Sequence, residues 1–310
     1  MLLVRVRDSL SGAPLPNAEV MAIGRKTLTG PKGEVRIVWP AEGVLFVRVR
    51  QLGFRYEQRT VQRGTSGTED TLTIAMQRGA IALPQMVAAQ SRCRDEEGDA
   101  PPTPLSQSAM ELLRFGAEQY GTFRSRYPFA LLLARNTDLF VRGSNVPRRE
   151  NSEELTDSKE WGDRYVPGQV LQRTGAQSWF VPLLFVSALA DSAFWARHCF
   201  VARGVEEREG RRVIRLDFTP ARDVKDPEWE GAAWIDSVGS VLTRVEFQLT
   251  NLRDYTGPQR FEGYTVFTRP SPYIARPDST VARWTSRGSG GWSQQALVIR
   301  DVRYTKELPP

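Results

Sequence analysis

Apolar and polar residues alternate in short runs through the first 78 positions, at 2–7, 18–23, 34–39, 44–50, 58–62 and 71–76. A period of two places successive side chains on opposite faces of a strand, so each run predicts a half-buried β-strand. Turn clusters SGAPLPN (11–17), TGPKG (29–33) and RGTSGTED (63–70) separate them. That spacing belongs to a sandwich and not to βαβ units. Gly12 and Gly33 stand where the chain must reverse sharply. Pro14 and Pro16 withhold ladder donors and place their stretch in a loop or on an edge.

The pattern then changes. Residues 79–104 read as a connecting segment that contains Cys93 and ends in the polar, Pro-rich RDEEGDAPPTP (94–104). Over 105–120 an apolar stripe of Leu105, Met110, Leu112, Leu113 and Phe115 predicts a helix, capped by Ser106 or by Ser108 in a capping box with Glu111. One or two strands are expected in 123–142, and a long charged loop in 143–164. From 199 onward alternation returns. A hairpin joins FVARGVEE to RRVIRLDF, with Ile214, Leu216 and Phe218 facing one way. EGAAWID (230–236) and VLTRVEFQL (241–249) form a second hairpin, in which Val241, Thr243, Val245, Phe247 and Leu249 share a face. RFEGYTVFTRP (260–270), TVARWTS (280–286) and GWSQQALVIRDVRY (291–304) continue the meander. The expected fold is mainly β: a sandwich over 1–78, and over 105–310 an α+β domain built on a large, curved antiparallel sheet with one face on a core.

Composition narrows the class. With 40% hydrophobic and 25% charged residues the chain is neither collagen-like, disordered nor a coiled coil. The net charge is +6. The arginines are spread out and alternate with valines, as in VRVR at 4–7 and 47–50, which turns Val inward and Arg toward water. No clustered cationic face with interleaved aromatics exists, so no nucleic-acid partner is expected. The longest apolar run, 179–190, is too short for a bilayer and contains Pro182; no transmembrane helix is expected.

Three segments resemble a known family. DSLSGAPLPNAEV (8–20), TLTGPKGEVRI (27–37) and VRVRQLGFRYEQRTV (47–61) are similar to the carboxypeptidase regulatory-like domain. Asp8, Gly12, Pro14, Leu15, Ala18 and Val20 match its first element, Gly33 its second, and Gly53–Phe54 its third. Gly30 stands where the family carries Asp. The resemblance implies a transthyretin-like, carbohydrate-binding-like β-sandwich over 1–78. Further on, WF (179–180), HCF (198–200), I-x-L-x-F-x-P (214–220), G-x-x-W-I-D (231–236) and L-x-R-V-E-F (242–247) resemble a β-rich region of uncharacterised bacterial secreted proteins. The expected sheet is also similar, at the level of fold alone, to the half-barrel of periplasmic lipoprotein carriers.

Spacing alone leaves the two cysteines open between a disulfide and two buried thiols. The second resemblance implies the disulfide, because those proteins keep one cysteine just after the first domain and one in the HCF element, the places of Cys93 and Cys199. It also implies export, to the periplasm, the outer-membrane surface or the medium, with a leader upstream of Met1.

Little catalytic machinery is visible. A zinc peptidase site needs two histidines and the chain has one, His198, so no metal or cofactor is expected. No G-x-S-x-G, Walker or G-x-G-x-x-G element occurs. RGSGG (287–291) reads as a turn. The acidic residues Glu153, Glu154, Asp157, Glu160 and Asp163 lack calcium-loop spacing and read as a solvated loop. Aromatics remain, and Trp234 and Trp292, each in a strand among small or polar neighbours, are the candidate ligand-binding residues. The reading is a non-catalytic, exported cell-envelope binding or interaction protein for a glycan or a protein partner. Its alternatives are a lipid or lipoprotein carrier holding an acyl chain against the curved sheet, a purely structural envelope domain, and a hydrolase using paired carboxylates. A deep apolar cavity under the second sheet would favour the carrier.

Overall fold

The structure, a computed structural model, describes residues 1–51, 54–64, 70–77, 93, 103–157, 165–175, 178–182, 184–236, 241–253, 255, 257–268, 276–286 and 291–305. The connecting segment expected over 79–104 therefore lies outside the described residues except at Cys93, Thr103 and Pro104, as do Gly53, Trp161, Glu160, Asp163 and most of the RGSGG turn.

The alternating runs near the N-terminus form two facing sheets. β1 (Leu2–Asp8) pairs antiparallel with β4 (Glu34–Ile37) and parallel with β7 (Asp70–Met76). β2 (Glu19–Ala22) lies between β3 (Arg25–Leu28) and β5 (Val44–Arg50), and β6 (Glu57–Gln62) closes that sheet. Val4, Val6, Val20, Val47, Val49 and Ile74 point into the space between the sheets and are fully buried or nearly so. Burying such side chains contributes roughly 1.5–3 kcal/mol each. The tight turn before β4 needs Gly33: its φ is +69° and a Cβ there would lie 2.5 Å from the Val6 carbonyl oxygen.

A 23-residue helix follows, α1 (Pro104–Arg126). It begins earlier and ends later than its apolar stripe predicts. Thr103 is the cap, its hydroxyl accepting from the Ser106 amide at 3.2 Å, with Pro104 in the first helical position where its missing N–H costs nothing. Neither Ser106 nor Ser108 caps the helix. The buried Ser106 hydroxyl instead accepts from the Ala202 amide at 2.9 Å.

Nine of the strands that follow, among the described residues, form one antiparallel sheet. In chain order they are β8 (Phe129–Phe140), β9 (Arg148–Asp157), β12 (His198–Arg208), β13 (Arg211–Pro220), β14 (Glu228–Asp236), β15 (Val241–Thr250), β16 (Pro258–Thr268), β17 (Arg276–Ser286) and β18 (Trp292–Tyr304). Spatially, β12 through β18 run in sequence and are followed by β8 and then β9. β9 corrects the loop expected at 143–164. Its side chains are exposed on both faces, so no hydrophobic period marks it, and as an edge strand it is specified by backbone pairing with β8. A bulge corrects the face expected for β15. Trp234 pairs with Arg244 but Ile235 with Leu242, so Thr243 is the extra residue and Leu242 joins Val245, Phe247 and Leu249 in the core.

α1 lies on the inner face of β12–β15. Leu113 and Phe123 pack there in one core with Leu216, Phe218 and Val245. The opposite side of the helix meets the N-terminal sandwich. Arg50 hydrogen-bonds Glu118 and sits 5.1 Å above the Phe115 ring, and Gln119 donates to the Asn17 carbonyl. Cys93 and Cys199 form a disulfide with Cα atoms 5.6 Å apart, tying the connecting segment to the start of β12.

Candidate functional site

A nine-stranded sheet spans roughly 40 Å at 4.8 Å per strand, and one helix covers about 10 Å. The inner face of β16–β18, β8 and β9 therefore needs a different cover. It is supplied by residues 165–175, 178–182 and 184–189, which carry two short strands, β10 (Gln172–Arg173) and β11 (Trp179–Phe180), and a single helical turn, α2 (Val186–Leu189). Between this cover and the sheet lies a cavity of about 730 Å³, within the roughly 300–1,000 Å³ of small-molecule sites.

Its floor is made from inward-facing positions of the sheet: Trp229, Phe261, Trp284, Ala282, Leu297 and Leu133. An aromatic row crosses this floor. Trp229 and Phe261 have ring centroids 6.1 Å apart, and Phe261 lies nearly parallel to Trp284 at 6.3 Å. Phe261 and Trp284 are direct cross-strand partners, the pairing through which aromatic side chains stabilise a sheet. The cover contributes Val170, Trp179, Leu184 and Phe185. Trp179 can lie flat against the chain because residue 257 is glycine; a Cβ there would come within 2.8 Å of the indole. Polar side chains share the lining, among them Thr156, Gln169, Gln172 and Ser178. Thr280 is bonded to Thr265 at 2.9 Å and Gln295 to Thr137 at 3.1 Å, while Arg135 and Glu154 stand half-exposed at the rim.

Below one end of the floor lies a polar cluster. Tyr165 lines the cavity, and its hydroxyl donates to Glu228 Oε2 at 2.5 Å. Glu228 is 0% exposed. The same oxygen accepts from Arg197 Nε at 3.2 Å, and Oε1 accepts from the Trp229 amide at 3.0 Å. Arg197 also donates to Asp226 at 2.6 Å. Burial raises the Glu228 pKa above the ordinary carboxylate value, against the opposing pull of these donors. The Tyr165 hydroxyl is likewise pushed up by burial and by the carboxylate it faces.

His198 sits beside Glu228, 3.7 Å away, stacked on Phe194 at 3.7 Å. Its two ring nitrogens face the carbonyl oxygens of Phe194 at 2.8 Å and Trp229 at 3.0 Å. Only an imidazolium could donate to both. Burial lowers its pKa to about 4, so at neutral pH it donates to one of them. It is a packing and hydrogen-bonding residue, and its neighbour Cys199 is held in the disulfide and is not a free thiol.

The two tryptophans singled out in the sequence lie elsewhere. Trp234 is on the outer face of the sheet, 4% exposed, with Arg208 and Arg215 over its ring at 4.7 and 5.6 Å. Neither ring face is open to a sugar. It is the indole ring itself that the long arginine side chains from β12 and β13 cover. Trp292 is 40% exposed, but it stacks on Phe140 at 3.8 Å and has Arg283 5.9 Å from its ring. It pairs with Thr285, next to Trp284 of the cavity floor, but the strand alternation turns it to the outer face. The structure does not bring these two residues into one site. The residues that do build the cavity, Phe261 and Trp284 above all, carried a usable signal: both are aromatic and both occupy inward positions of consecutive strands.

The lining also bears on the hydrolase alternative, which needs two carboxylates. Among the described residues Glu154 is the single acidic side chain lining the cavity, and no group of three or more histidine, cysteine or acidic side chains could hold a metal ion. No described helix is long and apolar enough to cross a membrane.

No family model matches the chain, and no curated protein does. Solved structures similar to it include a domain described as an outer membrane lipoprotein-sorting protein from Vibrio parahaemolyticus, at 11% identity over 64% of this chain and 95% of that one, with a TM-score of 0.31. A DUF1329 family protein from Desulfovibrio piger is 12% identical over 66% of this chain and 95% of that one, with a TM-score of 0.35. A membrane-associated protein of unknown function from Bacteroides fragilis is 10% identical over 97% of each chain, with a TM-score of 0.21.

Proposed function

We propose that this chain is a carrier-type binding protein of the bacterial cell envelope that holds the apolar tail of an amphiphile between the large sheet and its cover. The observation that carries this reading is the cavity of about 730 Å³ with its floor of Trp229, Phe261, Trp284 and Leu297. The aromatic and aliphatic floor favours a ligand that buries apolar area, and the polar side chains of the lining can meet a polar head group. The glycan reading has lost its first anchor, because Trp234 is already covered by arginines. The disulfide supports a site of action outside the reducing cytosol. The N-terminal sandwich, in keeping with its regulatory-like motifs, serves as an appended module docked on α1 and not as part of the cavity.

Binding is tested with the neutral dye N-phenylnaphthylamine and its displacement by monopalmitoylglycerol. The folded protein is expected to enhance the dye's fluorescence and to release it to the lipid. Ala282→Trp or Gln295→Trp, which fill the cavity from two different strands, are expected to abolish enhancement while the far-ultraviolet circular dichroism stays unchanged. A folded wild-type protein that takes up neither dye nor lipid would overturn the proposal.

A further inference from the structure

Resting on that carrier reading, we infer that the ligand is an anionic amphiphile whose carboxylate or phosphate head is held by Arg135 at the rim of the cavity. Along β8 the inward-facing positions run Phe129, Leu131, Leu133, Arg135, Thr137 and Leu139, so an arginine stands in a row of otherwise mostly apolar residues. Its cross-strand partner on β18 is Leu297, part of the cavity floor. An arginine in an apolar row breaks the binary pattern of the strand, and such breaks concentrate where a side chain serves binding.

The charge has little else to do. Among the described residues that line the cavity Arg135 is the single cation and Glu154 the single anion. The two approach only to 4.0 Å, beyond the 2.7–2.9 Å or so of a charge-assisted hydrogen bond. Both side chains remain about half exposed, 48% and 64%, and so face the mouth and the solvent together. The guanidinium therefore keeps a planar fork of donors at the edge of an apolar chamber, a geometry that matches carboxylate or phosphate oxygens in pairs. With the tail on Trp284 and Leu297, one face of the chamber is apolar and its exit is cationic. A neutral head accepts single hydrogen bonds from that fork without the charge-assisted gain, and a cationic head is repelled by it. Glu154 opposes an anionic head and sets a limit on how tightly it is held.

Dye displacement separates this inference from the carrier reading. Palmitate and lysophosphatidic acid supply carboxylate and phosphate heads; monopalmitoylglycerol supplies a neutral head of similar tail. Wild type is expected to bind at least one of the anionic lipids more tightly than the neutral one, and which of them gains more identifies the head. Arg135→Met keeps the aliphatic stem and is expected to weaken anionic binding roughly tenfold or more while changing neutral binding little. Glu154→Gln is expected to tighten anionic binding alone. If all three lipids fail to bind, the carrier reading falls and this inference with it. If the neutral lipid binds while Arg135→Met weakens all lipids alike or none of them, the cavity stands and the anionic head site is overturned.

Discussion

The Tyr165 hydroxyl donates to the Glu228 carboxylate at 2.5 Å, fastening the first described residue of the cavity's cover to the first residue of β14. The bond joins two chain segments 63 positions apart. It also explains why a carboxylate with no exposure is tolerated, since Tyr165, Arg197 and the Trp229 amide together meet most of its acceptor capacity.

Removing that hydroxyl tests how the cover is held. Tyr165→Phe deletes one donor to a buried carboxylate, a loss of about 1.5–3 kcal/mol. Chemical denaturation is expected to show that loss without a change in secondary structure. Hydrogen exchange is expected to speed up in residues 165–175 more than in β12–β15. Uniform protection in both regions would mean that the cover is held by its apolar contacts alone.

Acid stability carries a signature of His198. Its pKa in the folded protein is about 4, against an ordinary 6.5. Between those values the unfolded chain takes up a proton that the native protein refuses, so this group's contribution is present above about pH 6.5 and is lost progressively as the pH falls toward 4. The span corresponds to about 3 kcal/mol at most. Glu228, raised by burial, has the opposite sign: its contribution is present below the ordinary carboxylate range and declines as the pH rises. Unfolding free energies measured from pH 7 to pH 4 for wild type and His198→Phe isolate the first effect. The gap between the two proteins is expected to shift in favour of the variant as the pH falls. A constant gap would show that the imidazole takes up its proton equally in the folded and unfolded states.

Reduction of Cys93–Cys199 opens a loop with a sequence separation of 106. A crosslink over such a span contributes roughly 4.7 kcal/mol in the chain-entropy treatment, with smaller values common in practice. The Cys93→Ser, Cys199→Ser double variant is expected to unfold at lower denaturant concentration by a few kcal/mol. The effect on dye binding should be small, because neither cysteine lines the cavity. A variant of unchanged stability would show that the connecting segment is constrained by other contacts.

Much of the strand content could be read directly from residue order. In β13 the alternation of Ile214, Leu216 and Phe218 with Arg215 and Asp217 is local, and a period of two translates at once into an inward and an outward face. The helix was legible from its apolar stripe, although Thr103 before Pro104 was the better cap signal than the serines inside the first turns. β9 was not legible, because an edge strand exposed on both faces owes its existence to the unpaired backbone of β8 beside it. The face of Leu242 was misread for a similar reason: the extra residue at Thr243 exists only as a mismatch with a partner strand.

What residue order determined by itself was most of the long strands, the apolar stripe of α1 and the outward turn of the arginines in the two VRVR runs, since each depends on spacings of a few residues. What tertiary structure decided was which surfaces remain uncovered. Trp234 is closed off because β12 and β13 bring Arg208 and Arg215 across it. Phe261 and Trp284 line a chamber because α1 is too narrow to cover nine strands and residues such as Val170, Trp179, Leu184 and Phe185 bridge the remainder. Burial of that kind depends on contacts between residues distant along the chain, and no periodicity within a single segment encodes it.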